Sequence, residues 1–161
     1  MKTMLYLMRH ATADVRTALV DDADRCLNEK GRLQARRVAA FMQKHGLIPD
    51  RIAASPQAKA IQTAALLRKD LALAAAVEEW PELLPEVSVA VLQAAIAKQA
   101  QQDEALLLVG HEAELATLIC QLTGAEHSFL ELKKASLTCL ILEVGAAQPV
   151  QLAWSIPAKF M

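Results

Sequence analysis

Leu5-Tyr6-Leu7-Met8-Arg9-His10-Ala11 is an apolar run of strand length that stops abruptly at an arginine and a histidine. Such a run predicts a buried β-strand with Arg9 and His10 just past its carboxyl end. In open α/β sheets that edge is where ligands bind. Two polar residues at one strand end carry little information alone, so the weight falls on whether other segments repeat the pattern.

Two segments do. Residues 51–54, Arg-Ile-Ala-Ala, read as a second short strand leading into Ser55-Pro56, with serine as helix N-cap, proline at the first helical position, and helix continuing over 58–68. Lys59 falls in the first turn of that helix. Helical side chains lean toward the amino terminus, so its ammonium can reach over a helix start whose unpaired N–H groups favour an anion. Residues 105–109, Ala-Leu-Leu-Leu-Val, form the most apolar strand candidate and run straight into Gly110-His111. Glu112 then opens a helix with Leu115, Leu118, Ile119 and Leu122 in register until Gly124. Parallel strands place their carboxyl ends on one edge, so Arg9, His10, Lys59 and His111 can converge although far apart in sequence. Two imidazoles, an arginine, a lysine and helix amino termini make a cationic pocket suited to a phosphoryl group.

The intervening segments read as scaffold. Residues 12–25 are a polar loop whose aspartates, Asp14, Asp21, Asp22 and Asp24, lack the glycine and terminal glutamate of a calcium loop and are expected to be solvated. Asn28 is an N-cap for a helix carrying Leu33, Ala35, Val38, Phe41 and Met42 at helical spacing, closed by Lys44-His45-Gly46. His45 reads as a last-turn residue favoured by the helix dipole. Helix end then strand is expected over 71–77, an exposed loop over 78–85, and a helix over 88–101 with Val89, Leu92 and Ile96 on one face. The last third switches to strand periodicity at 136–143 and 150–155 around a turn at 145–149, which adds antiparallel pairing at one side. The expected architecture is a single three-layer α/β/α domain spanning 1–161, with a mostly parallel sheet and antiparallel C-terminal strands.

Composition sets the bounds. A chain of 161 residues, 54% hydrophobic and 22% charged, is one domain with a real core and room for one site. Its net charge of −1 and pI near 6.4 show no broad basic field for nucleic acid or an anionic membrane, so anion recognition must be local. Cys26, Cys120 and Cys139 are odd in number and hold no C-x-x-C pair, which argues against a disulfide framework or structural zinc. With no signal-peptide core or membrane-spanning run, a cytoplasmic monomer is expected.

Four pieces in order, Leu7-Met8-Arg9-His10-Ala11, Arg25-Cys26-Leu27-Asn28-Glu29-Lys30-Gly31 with Gln34-Ala35, Ser55-Pro56-Gln57-Ala58-Lys59-Ala60-Ile61-Gln62-Thr63, and Val109-Gly110-His111-Glu112, carry a resemblance. The chain resembles the histidine phosphatase superfamily, with its phosphoglycerate-mutase-like fold, and within it the small SixA-type phosphohistidine phosphatases. The resemblance implies that His10 is phosphorylated during turnover, that His111 and Arg9 line the phosphate pocket, and that no cofactor or metal takes part. A metallophosphatase using His10, His111 and the aspartates around Asp22 is the contrasting reading, and no ligand spacing supports it.

Two departures stand out. Ala11 replaces the family's usual glycine, as in SixA-like members, and Lys59 stands where the family places a second phosphate-binding arginine. Lysine offers a point charge where arginine offers a planar fork, so a weaker phosphate grip is expected. Arg25 could supply compensating charge or be a plain loop arginine. Glu82 is the best general-acid candidate by position, with Glu79 and Glu112 left open. An imidazole leaving group needs less acid assistance than an alkoxide, which fits a phosphohistidine substrate. Only one helix fits between the Trp80 loop and the strand at 105–109, so no large lid is expected and the site can admit a side chain presented by another protein. The expected partner is a phosphohistidine-bearing protein. A small phosphorylated substrate is the alternative within enzymes, and a phosphoprotein-binding pseudophosphatase the alternative outside them.

Overall fold

The central pair of strands explains why His10 and His111 meet. In the computed structural model, which describes residues 2–143, 145–147 and 149–161, β1 (Lys2–Arg9) runs parallel to β4 (Ala105–Gly110) with Leu7 opposite Leu108 and Arg9 opposite Gly110. The two histidines therefore leave the sheet side by side. On the other flank of β4 lies β2 (Arg51–Ala54), also parallel, with Ala54 opposite Val109, so Ser55 emerges at the same edge.

Beyond β2 the sheet ends in β3 (Glu78–Glu79); on its other side β5 (Leu137–Glu143) and β6 (Val150–Ile156) add antiparallel strands, giving the order β3-β2-β4-β1-β5-β6. The alternation of β1 sends Tyr6 and Met8 to one face and Leu5 and Leu7 to the other. Two helices cover the first face, α1 (Glu29–Lys44) and α2 (Ala58–Asp70), through Val38, Met42 and Leu67. The second face is covered by α3 (Val89–Gln99) and α4 (Glu112–Thr123) through Leu92, Ile96, Leu115 and Leu118. This is the expected three-layer α/β/α arrangement. Leu106, Leu107, Leu108 and Val109 are fully buried, as a central parallel strand requires. No helix among the described residues is long and apolar enough to cross a membrane.

Asn28 caps α1 through its side-chain oxygen, which accepts from the Gly31 N–H at 2.9 Å. Gly124 ends α4 in the left-handed region at φ 75°. Four expectations are corrected. No strand forms over 71–77: Ala72 takes a positive φ of 54°, and the Arg68 guanidinium donates to the carbonyls of Ala74 and Ala75, so the chain there is a turn. The edge strand is the short β3, inside the segment expected to be an exposed loop, and Trp80 and Leu83 just after it are buried against the second face. Leu33, placed on the core side by its spacing, is exposed, because Gly31, Ala35, Val38 and Met42 define the buried face and Leu33 falls opposite it. The helix expected over 88–101 closes at Gln99. The turn expected at 145–149 includes Gln148, which lies outside the described residues.

Candidate active site

His10 is buried where β1 ends, its backbone N–H donating to Gly110 O at 2.9 Å. Its ring Nδ1 lies 2.8 Å from Ala11 O. A carbonyl oxygen can only accept, so Nδ1 carries the proton and Nε2 keeps its lone pair. Burial drives the pKa of His10 down; the Ala11 hydrogen bond opposes this, while His111, Lys59 and Arg9 add to the fall, and it lies at about 3. His10 is thus a neutral, oriented imidazole at neutral pH.

His111 is buried beside it, the ring centroids 5.4 Å apart at 59°. Burial, with Lys59 and Arg9 added and Asp22 opposing, brings its pKa to about 4. Nε2 of His111 is 3.0 Å from Ser55 Oγ. This corrects the cap expected at Ser55: α2 begins at Ala58 with Gln57 as N-cap and no side-chain capping bond. The pairing of β2 with β4 delivers Ser55 across from the His111 strand end, where its hydroxyl shares a hydrogen bond with the buried imidazole and accepts a longer one from the Gln57 N–H at 3.4 Å.

Lys59 is only 4% exposed, so it is a buried lysine and not a surface one. Its Nζ donates to Asp22 Oδ2 at 3.1 Å. Burial lowers the Lys59 pKa and the Asp22 hydrogen bond opposes the fall. Asp22 sits in the 3-10 turn Asp22–Asp24 and also accepts from Arg25 Nε at 2.9 Å and pairs with Arg16 at 3.1 Å. Burial alone would raise its pKa, but Lys59 and Arg25 outweigh burial and hold it at about 2. Arg25 therefore does reach this cluster, through Asp22, and its Nη1 also donates to Asp14 O at 2.9 Å. Exposure is borne out for Asp14, Asp21 and Asp24 but corrected for Asp22, a half-buried carboxylate bound to cations. Sequence reasoning missed it, although the Asp22, Arg25 spacing of three within a short turn was available.

Arg9 donates to Leu132 O at 2.8 Å and pairs with Glu112 at 3.2 Å. Among the described residues its buried Nε has no hydrogen-bond partner. Of the three candidate acids, Glu112 engages a site cation. Glu79 is an exposed edge-strand residue. Glu82 is half-buried in the 3-10 turn Pro81–Leu83. That turn follows a strand parallel to β2, and Leu83 would contact a side chain added at Gly110, so Glu82 belongs to the same sheet edge without a hydrogen bond to the histidines.

A supporting layer also escaped the sequence reading. Gln34 Oε1 accepts from both the N–H and hydroxyl of Thr12 at 2.9 Å, and the Asn28 N–H donates to Thr12 O at 3.1 Å. Any Cβ at Gly31 would come within 1.9 Å of Thr12 O. Thr63, one turn beyond Lys59, donates to Lys59 O and accepts from the Ala11 N–H. The segment after His10 is thereby clamped on both sides. Among the described residues no three His, Cys, Asp or Glu side chains gather as a metal-holding group.

The family model for the histidine phosphatase superfamily (branch 1) matches residues 5–85, which include His10, Arg25, Lys59 and Glu82. The chain belongs to the histidine phosphatase superfamily. An uncharacterized protein of Picosynechococcus sp. strain PCC 7002 is 34% identical over 152 residues, covering 89% of this chain and 87% of its own. Among solved structures, the protein histidine phosphatase SixA complexed with tungstate superposes with a TM-score of 0.82 at 22% identity, covering 98% of both chains. A mycobacterial glucosyl-3-phosphoglycerate phosphatase superposes at 0.73 with 19% identity, covering 95% of this chain and 98% of its own. The fold is the phosphoglycerate-mutase-like one, and membership of this superfamily supports phosphatase activity.

Proposed function

We propose that the protein is a cytoplasmic, single-domain, monomeric phosphatase that removes phosphate from phosphohistidine on a partner protein, without metal or cofactor, through a phospho-His10 intermediate. The observation that carries the reading is His10 itself: a neutral imidazole turned by the Ala11 carbonyl so that Nε2 is the reactive atom, set among Arg9, Lys59 and His111. Nε2 attacks phosphorus, and the bond from phosphorus to the substrate imidazole breaks, the leaving nitrogen taking a proton from Glu82 or water. Water then attacks phospho-His10, releasing inorganic phosphate and restoring the imidazole. Phosphoryl transfer passes through a loose transition state, so the residues' main work is positioning and charge stabilisation by Arg9, His111, Lys59 and Arg25. Between Trp80 and β4 the chain contributes one helix, α3, packed in the core of the opposite face, which supports an open site able to take a protein-borne side chain. The thiols of Cys26, Cys120 and Cys139 are free, in keeping with a reducing cytoplasm.

The test compares a phosphohistidine protein with a sugar phosphate as substrates, alongside 32P labelling of wild type and His10→Ala. The reading expects faster turnover of the phosphohistidine protein and loss of both labelling and turnover in the variant. Undiminished hydrolysis in His10→Ala would sink the mechanism; preference for the sugar phosphate would favour a small phosphomonoester substrate, of the kind the mycobacterial glucosyl-3-phosphoglycerate phosphatase is named for. A second reading, a phosphoprotein binder, is favoured by one observation: the Lys59 ammonium is already engaged by Asp22. If Lys59→Arg creates activity where wild type has none, the natural protein is a binder.

A further inference from the structure

Next to the site lies a groove of about 810 Å³ that starts at Arg9 and Thr12, passes the first turns of α1, and ends at Lys133-Lys134 and the C-terminal turn Ala158–Phe160. Its charge is one-sided. Arg9, Lys30, Arg37, Lys133, Lys134 and Lys159 line it against a single carboxylate, Glu29, although the chain as a whole has 17 basic and 18 acidic residues. Lys133 is paired with Glu131 at 2.7 Å. Lys30, Arg37, Lys134 and Lys159 form no ion pair among the described residues. Leu33, 59% exposed, adds an apolar strip between the cations.

We propose that this groove docks an acidic segment of the partner protein, with carboxylates flanking the phosphohistidine and an apolar side chain laid against Leu33. The inference rests on the phosphohistidine reading above and specifies the chemistry of that partner. Arg9, the residue before His10, forms the inner end of the groove, so a partner presenting a phospho-imidazole to Nε2 overlies this wall. Carboxylates there meet unneutralised ammonium groups, which steers encounter and sets orientation. An exposed leucine in a cationic channel suits a polypeptide, whereas a nucleic-acid groove would carry aromatic platforms for bases, and none line this one.

The test uses the full chain and two phosphohistidine peptides, one flanked by Asp and Glu and the other by Asn and Gln, with a small phosphoramidate as control. At low salt the wild type should show kcat/KM at least about 10-fold higher on the acidic peptide, the ratio falling toward one at high salt, as screening of exposed charge requires. The double variant Lys30→Glu with Lys134→Glu, both exposed side chains, should abolish that preference and leave phosphoramidate turnover unchanged. Equal rates on the two peptides in wild type, or a preference that survives the double variant, would overturn the docking proposal and leave the phosphohistidine reading standing. Stronger competition by a single-stranded RNA than by the acidic peptide would overturn it as well. If neither peptide is hydrolysed while a small phosphomonoester is, the phosphohistidine reading falls and this occupant falls with it.

Discussion

Lowering the pH from 7 to 5 should cost the folded protein about 4 kcal/mol through His10 and His111 together, on the linkage of one pKa unit to about 1.4 kcal/mol. Both imidazoles are held neutral, at about 3 and about 4 against an ordinary value of 6.5. Because the folded pKa values lie below the unfolded one, the unfolded chain binds protons first as the pH drops. The penalty is negligible well above 6.5, sets in as the pH nears that value, and grows until the folded pKa values are reached. At pH 5 each histidine lies about 1.5 units inside that window and costs about 2 kcal/mol. Asp22, held at about 2, loses its own stabilising effect only below the ordinary carboxylate pKa of 3.8, outside the interval. Urea titrations at pH 7, 6 and 5 measure the effect, and the control is the double variant His10→Asn with His111→Asn, which cannot titrate there. The variant should lose about 4 kcal/mol less than wild type across the same interval. Equal pH slopes in the two proteins would show that the histidines are not buried as neutral groups, and the argument for His10 as a ready nucleophile would fail with them.

Three further outcomes are expected. Asp22→Ala removes the carboxylate that competes for Lys59, so inhibition by orthovanadate should tighten about 10-fold, roughly 1.4 kcal/mol, in steady-state assays; unchanged inhibition would mean Lys59 does not meet the anion. Gly31→Ala drives a methyl into Thr12 O and should lower stability by about 1–3 kcal/mol in denaturant while reducing kcat, since Thr12 is two residues from His10. Arg51→Met strips Glu104, whose side chain is 6% exposed, of its 2.9 Å ion pair at the edge opposite the site. It should destabilise by about 3 kcal/mol while leaving kcat on a small substrate unchanged.

The fold was legible wherever period and punctuation agreed. The apolar runs at Leu5–Met8 and Leu106–Val109, the Asn28 cap and the Gly124 stop each specify an element through local physics, and all four form. The convergence of His10, Lys59 and His111 was legible too, because parallel strands share an edge. What escaped depends on partners far away in sequence. Ser55 has the local grammar of a cap and its oxygen does accept from the Gln57 N–H, but its shorter hydrogen bond is with His111, 56 residues later. Glu78-Glu79 has no strand signal; β2 recruits it by pairing, and Arg51 ties Glu78 down with two hydrogen bonds. Asp22 looks solvated among its neighbours, and only the fold shows that a buried lysine 37 residues on is waiting for it.

In the proposed function, Lys59 and the basic groove act on one substrate. A lysine cannot reproduce the paired hydrogen bonds of a guanidinium on a phosphoryl group, and here Asp22 must also be displaced before it can meet the substrate. On the proposed function, the local grip on phosphate is therefore weaker than an arginine at position 59 would give. Interactions made by remote, non-reacting parts of a substrate can supply the orientation that the reacting centre lacks. On the docking proposal, the groove that begins at Arg9 does this for a protein substrate and nothing for a small one. It follows that Lys59→Arg should accelerate a small phosphoramidate more than an acidic phosphohistidine peptide. Equal acceleration of both, measured as kcat/KM, would separate the two features and leave the lysine without a compensating partner.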